Sequence, residues 1–231
     1  MTNLSSLAAP NAAPPTAVAL IGDEHHDFSA IQSALTANLV EPRLLAIEFT
    51  SSLEVLHPTT LGRHRILILQ RKYTPDITVA HQEAVAAFVD AGGGALVLHQ
   101  STGMARFGNT ILRDVIGAEF QWHPAEPREY RIEVVHPDHP VTRGVSAFSL
   151  RPGEQHFMAY WRDPSHVLLR SIDALGTDLD RRGSSAVAGW AYAYGRGRVC
   201  YLAPGHTLAE HLHPEVTRLQ QNAVHWLLRD T

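Results

Sequence analysis

The chain has 231 residues, 45% hydrophobic and 18% charged, with a formal net charge of −4 at pH 7. Such a composition suits a soluble globular protein with a real core, and the lack of a basic surplus argues against nucleic acid as a partner. No apolar run reaches membrane-spanning length, and the first residues lack the basic-then-apolar layout of a secretory signal.

Met1 to Pro15, rich in Ala, Pro, Asn and Ser, reads as a loose tail, which leaves 16–231 as one domain. Thr16–Ile21 is an apolar run that predicts the first strand. The loop Gly22-Asp23-Glu24-His25-His26-Asp27-Phe28 follows, then helical character over Ser29–Leu39 and a second strand over Arg43–Phe49. Arg65–Gln70 predicts a third strand, apolar almost throughout, as in a parallel strand covered on both faces. Thr78 can cap a helix that turns Val79, Val85, Phe88 and Val89 inward and stops at Gly92. A glycine-led fourth strand then ends in His99-Gln100-Ser101-Thr102-Gly103.

This alternation argues for an α/β fold with a mostly parallel, doubly wound sheet and helices on both faces, whose ligands bind at the carboxyl edge of the strands. Beyond Asn109 the rhythm changes. Extra strands are predicted over Arg128–Val135, Val167–Ser171, Ala186–Trp190 and Arg198–Ala203, with a charged surface loop over Asp173–Ser185. Glu215–Arg229 closes the chain as an amphipathic helix with Val216, Leu219, Ala223, Trp226 and Leu227 inward.

Histidine is the residue type in excess: 15 of them stand against 19 lysines and arginines. Of the adjacent pair His25 and His26, at most one is expected to face the crevice. His123 precedes Pro124, which confines its backbone to extended conformations and helps a ligand or base hold its aim. His136-Pro137-Asp138-His139-Pro140 reads as a turn. Glu154 and His156 lie two apart, so an extended segment points both the same way, as a metal pair or an acid–base pair. His206 follows Gly205 at a strand end, much as His99 does. Ser101 sits where a nucleophile elbow would place a serine, with His206 as base, but that turn needs a small residue where His99 stands. The plainer reading has Ser101 and Thr102 capping the next helix. Cys200, the only cysteine, leaves no internal disulfide framework, fits a reducing cytoplasm, and reads as a small hydrophobe in mid-strand.

Taken in order, several motifs resemble the ThuA-like (trehalose-utilisation) family, related in fold to the class I glutamine amidotransferases (flavodoxin-like). They are His26-Asp27-Phe28, Gly92 to His99, Ile116 to Pro124, His139 to Gly144, Glu154, Tyr194 to Val199 and Gly205-His206, spanning about Ala17 to Leu228. Gly153 stands where Asp is usual in the family, and His156-Phe157 where an aromatic is expected. The amidotransferases carry a nucleophilic cysteine at the elbow, where this chain offers His99, so glutamine hydrolysis through a thioester is not expected.

The resemblance implies a cytoplasmic protein of disaccharide or keto-sugar catabolism, an enzyme of the hydrolase, lyase or isomerase kind. In it His99, His206 and Glu154 carry the chemistry, while Gln100, Ser101, Tyr160 and His156 contact the sugar. His26, His99, His123 and His206 are the candidate ligands of a divalent metal, Zn or Mn, and no nucleotide cofactor is expected. The partners implied are a small sugar or sugar derivative and, as an open possibility, further copies of the chain. The alternatives are a non-catalytic carbohydrate-binding or interaction module on the same fold, and a Ser101 hydrolase.

Overall fold

The computed structural model describes residues 13–173 and 183–229. Most of the expected tail, 1–12, and the centre of the expected charged loop, 174–182, lie outside the described residues. Among the described residues the central sheet has nine strands. In chain order these are β1 (Thr16–Ile21), β2 (Ala46–Thr50), β3 (Ile66–Gln70), β4 (Gly94–Leu98), β6 (Arg128–Val134), β7 (Phe148–Gly153), β9 (Val167–Asp173), β10 (Ser185–Tyr194) and β11 (Gly197–Leu202). Their spatial order is β2-β1-β3-β4-β11-β10-β9-β6-β7. A separate antiparallel ribbon joins β5 (Ala118–Trp122) to β8 (Phe157–Tyr160).

Pairing is parallel from β2 through β11 and antiparallel from β11 through β7. The sheet is therefore mixed in equal halves, where the sequence reading expects a mostly parallel one. The parallel strands are the apolar runs: every residue of β3 and β4 is buried, as strands covered on both faces must be. In the second half burial alternates, buried-exposed-buried in β6 and β7, because only one face meets the core. Pro152 cannot donate to a ladder, and β7 accordingly lies at the sheet edge.

The helices are α1 (Phe28–Leu35), α2 (Pro58–Leu61), α3 (Val79–Asp90), α4 (Thr110–Ile116), α5 (Leu208–His211) and α6 (Pro214–Leu228). Contacts group α1, α5 and α6 together, and α2, α3 and α4 together. Asp27 caps α1 by accepting from Ala30 N–H at 2.7 Å, and a π-helical turn over Thr36–Val40 extends it. Arg43 lies in the turn that follows, with a positive φ, so β2 starts three residues later than expected.

Thr78 caps α3 as expected, accepting from His81 N–H, while the His81 ring accepts from Thr78 N–H. Val79, expected inward, is 60% exposed at the first position of the helix; Gln82 and Ala84 share the buried face with Val85 and Val89. The core gathers the parallel strands, the inner faces of α3 and α6, and Trp190, which stacks on Tyr201 and donates its indole N–H to Ile116 O. Cys200 is buried in β11, and burial pushes its thiol well up.

Candidate functional site

Five parallel strands end on one edge, and the chain just beyond three of those ends carries histidine. His26 follows β1, His99 follows β4, and His206 follows β11. From the other half come Glu154 and His156, in the short link between β7 and β8, and His123, just past β5. All of these except the fully buried His99 line a cleft of about 690 Å³, together with His25 and Gln100. Both members of the adjacent pair thus face it: His26 buried within and His25 exposed at the rim.

His99 is fully buried and has a φ of 47°, a left-handed conformation uncommon for a residue with a side chain. Its Nδ1 lies 2.9 Å from Ala203 O, which can only accept, so Nδ1 carries the proton and Nε2 presents a lone pair. The same logic applies to His26, whose Nδ1–H donates to Asp23 Oδ1 at 2.7 Å, leaving Nε2 buried without a hydrogen-bond partner. Asp23 also accepts from the N–H of His25, His26 and Lys72. Burial works to raise the Asp23 carboxyl, but the His26 bond and the backbone N–H groups outweigh it and hold the group well below the usual range.

Glu154 Oε2 lies 3.2 Å from His99 Nε2 and 3.3 Å from His206 Nδ1, and those two nitrogens are 3.2 Å apart. Donor atoms around a tetrahedral zinc, with bonds of about 2.0–2.1 Å, are roughly 3.3 Å from one another. The triangle therefore matches one face of such a polyhedron. With His26 the four residues each offer one ligand atom, all within 4.8 Å of one another, a group that could hold a metal ion. Glu154 fills the fourth place in this group, where the sequence reading sets His123. His123 stands just outside, its Nδ1 3.3 Å from Glu154 Oε1 and 2.8 Å from Pro124 O.

His156 donates Nε2–H to Glu154 at 2.9 Å and stacks on His99 with ring centroids 4.1 Å apart. Burial presses the His156 imidazole below its ordinary pKa, against the pull of Glu154. His99 is lowered well below its usual value by burial, then by neighbouring His156, with Glu154 opposing; burial likewise lowers His206. For Glu154 itself, burial acts upward, but the contacts with His156 and His99 prevail and keep the carboxyl ionised. A carboxylate surrounded by neutral imidazoles is a set of lone pairs converging on a small volume, which a cation satisfies.

Two residues picked as sugar contacts have other places. Ser101 is fully buried, and its hydroxyl accepts from Arg71 N–H at 3.0 Å. Ser101 and Thr102 lie inside a 3-10 segment over His99–Ala105 and do not cap a helix, since α4 starts only at Thr110. Tyr160 packs against Trp190 and donates its O–H to Asp163 O. Neither Ser101 nor Tyr160 lines the cleft, so a Ser101 nucleophile gains no support from the geometry. Gln100 does line it, with Nε2 3.5 Å from Asp23 Oδ2.

Asp23 and Glu210 are the site residues that sequence reasoning missed. Glu210 is buried and its Oε2 accepts from Gly205 N–H at 2.8 Å and His206 N–H at 2.9 Å, clamping the turn that presents His206. Thr207 Oγ1 accepts from Glu210 N–H, so Thr207-x-x-Glu210 is a capping-box spacing that could have marked the pair. Gly153, the departure from the family pattern, is explained by the same carboxylate. A Cβ there would lie 2.4 Å from the Tyr130 ring and 3.0 Å from Glu210 Oε1, so no larger residue fits.

The family model described as ThuA, trehalose utilisation, matches residues 18–227. No curated protein matches significantly. Among solved structures, a ThuA-like protein of Bacteroides uniformis superposes with a TM-score of 0.74 at 16% identity, over 97% of this chain and 95% of that one. A ThuA-like protein of Parabacteroides merdae gives 0.70 at 12% identity, over 94% and 91%. A protein of Salmonella typhimurium described as cytoplasmic gives 0.63 at 12% identity, over 92% and 98%. At these identities the likeness is one of fold.

Proposed function

This chain belongs to the ThuA, trehalose-utilisation family, and from that premise we propose that it is an enzyme of carbohydrate catabolism whose cleft holds a divalent metal. The ligands are His26, His99, Glu154 and His206. The observation that carries this reading is the triangle of lone pairs with edges of 3.2, 3.2 and 3.3 Å, beside the buried and unpartnered His26 Nε2. Three imidazoles and one carboxylate suit Zn or Mn better than the all-oxygen preference of Mg or Ca. When bound, such an ion polarises a sugar oxygen or lowers the pKa of a water molecule.

The chain's own groups do the rest. Asp23 fixes the ring of His26 and makes its Nε2 a better donor, in the manner of a carboxylate behind a ligating histidine. His156 locks the Glu154 carboxylate from the protein side. His123 is an accessible imidazole beside the carboxylate, its side chain 37% exposed and tied to Glu154 Oε1, so it can take a proton from a sugar hydroxyl or from carbon next to a carbonyl. Gln100 at the cleft wall binds hydroxyl groups. Disaccharides and keto-sugars are the substrates that the family description fits. The parallel half has the strand order 2-1-3-4 followed by β11, and we read it as doubly wound and flavodoxin-like. No helix among the described residues is long and apolar enough to cross a membrane. A cytoplasmic location is part of the proposal.

Elemental analysis of protein purified without a histidine tag tests the core of it. One Zn or Mn per chain is expected in the wild type, with loss in His26→Ala and His99→Ala. A preparation that contains no metal and takes up neither ion on titration would leave only metal-free His/Glu proton transfer.

A further inference from the structure

The formally charged side chains lining the cleft, histidines aside, are Glu24, Lys72, Arg106 and Glu154. Three are matched locally: Lys72 Nζ meets Glu24 Oε1 at 2.5 Å, and Glu154 is ringed by imidazoles. Arg106 makes no ion pair among the described residues, unlike Arg113, Arg128, Arg131, Arg151 and Arg162. Its guanidinium instead lies 4.6 Å over the Phe107 ring and 5.8 Å from the Phe120 ring.

Phe107 is 66% exposed, has a φ of 55°, and packs 4.5 Å from Tyr73. A bulky side chain holds that left-handed conformation only where its surroundings over-determine it, and such residues gather at ligand clamps. Stacking on rings covers the faces of a guanidinium and leaves its N–H edge unsatisfied, a planar fork that matches the two oxygens of a carboxylate or phosphate.

The fork and the metal-ligand cluster are set at a defined separation. Arg106 follows the segment that His99 opens, and seven steps at about 2 Å rise put the two backbones roughly 14 Å apart at most. Phe120 bridges the gap, since its ring also lies 5.6 Å from that of His123 and 5.1 Å from that of His156. A single small molecule can therefore touch both ends. We propose that Arg106, with Phe107 and Tyr73, forms an oxyanion subsite, so that the substrate is a carbohydrate carrying a carboxylate or phosphate away from its reacting end. The sugar part of this statement rests on the functional reading above; the anion part rests on Arg106 alone.

Calorimetric titration at low salt separates the two. Glucose, glucuronate, glucose 6-phosphate and inorganic phosphate are titrated into wild type, Arg106→Gln and Arg106→Lys, with metal content and melting temperature checked in each. At least one acidic sugar should bind about tenfold or more tighter than glucose, the advantage vanishing in Arg106→Gln and shrinking in Arg106→Lys. The tighter of the two acids identifies the group as carboxylate or phosphate. Inorganic phosphate that binds through Arg106 while no sugar does would keep the subsite and refute the carbohydrate reading. Glucose binding as tightly as both acids, a preference that survives Arg106→Gln, or no binding by any of the four probes would overturn the subsite.

Discussion

The parallel half of the sheet supplies neutral donors to the cleft, and the antiparallel half supplies the charge that gathers them. His26, His99 and His206 leave β1, β4 and β11 at the same carboxyl edge, as parallel strands require. Glu154 arrives from the exit of β7, the far edge strand, and its Oε2 lies within 3.3 Å of imidazole nitrogens from His99, His156 and His206. The imidazoles alone would be buried bases with no common partner. The two halves thus differ in what they can do separately: one aligns a row of ligands by topology, and the other closes that row into a charged pocket.

The sharpest way to break this division is Glu154→Gln, which keeps the shape and removes the charge. Zinc affinity should fall more than about a hundredfold, because losing even the outer partners of a metal ligand costs about 10–100-fold. Competition against a chelator reads this directly, and near-native affinity would mean that the parallel half suffices.

A second effect belongs to the parallel half itself. His211 in α5 is buried between Gln70 at the end of β3 and Gln220 in α6, and burial lowers its pKa to about 4. The unfolded chain protonates this imidazole near its ordinary 6.5, while the folded protein resists until about 4. The stabilising difference is therefore complete above pH 6.5 and is lost as pH falls towards 4, by about 3 kcal/mol at most. Urea denaturation of wild type and His211→Asn across that window should give a shallower pH slope for the variant; equal slopes would assign the loss to other buried histidines.

Asp23→Asn comes third, since it weakens the ring that holds His26 without touching a ligand. About a tenfold loss of zinc affinity is expected, with a lower melting temperature because one side-chain oxygen that accepts backbone N–H is replaced by a donor. The smallest effect is that of Tyr201→Phe, which removes the O–H donated to His99 O at 2.8 Å and should cost about 1 kcal/mol while leaving metal content unaltered.

Much of the parallel half could be read in advance, because an apolar run such as Ile66–Gln70 can satisfy its burial only inside a covered sheet. The antiparallel half was harder to read. β5, β7 and β8 carry little signal in the sequence: β7 contains a proline, and β5 and β8 are short, half-buried strands of a two-stranded ribbon. Glu154 and His156 nonetheless stand out as a pair, since a separation of two is a local property. Asp23 and Glu210 are harder to see: the partners that give Asp23 its role, His26 and the Lys72 N–H, are fixed only by the fold, and Glu210 shows in sequence only as the weak Thr207-x-x-Glu210 capping-box spacing.

By itself, then, the sequence determined the alternating αβ first half, the strand ends that bear histidine, and the motif order that marks the family. Those features depend on neighbours along the chain: apolar periodicity, caps and glycine turns. Only the tertiary structure decided which donors share a point, that Glu154 and not His123 completes the compact set, and that Ser101 turns inward to Arg71. These outcomes depend on where β7 and the β5/β8 ribbon come to rest against the parallel strands. That docking carries Glu154 to His99 and His206, far from it in sequence, and no pattern along the chain records it.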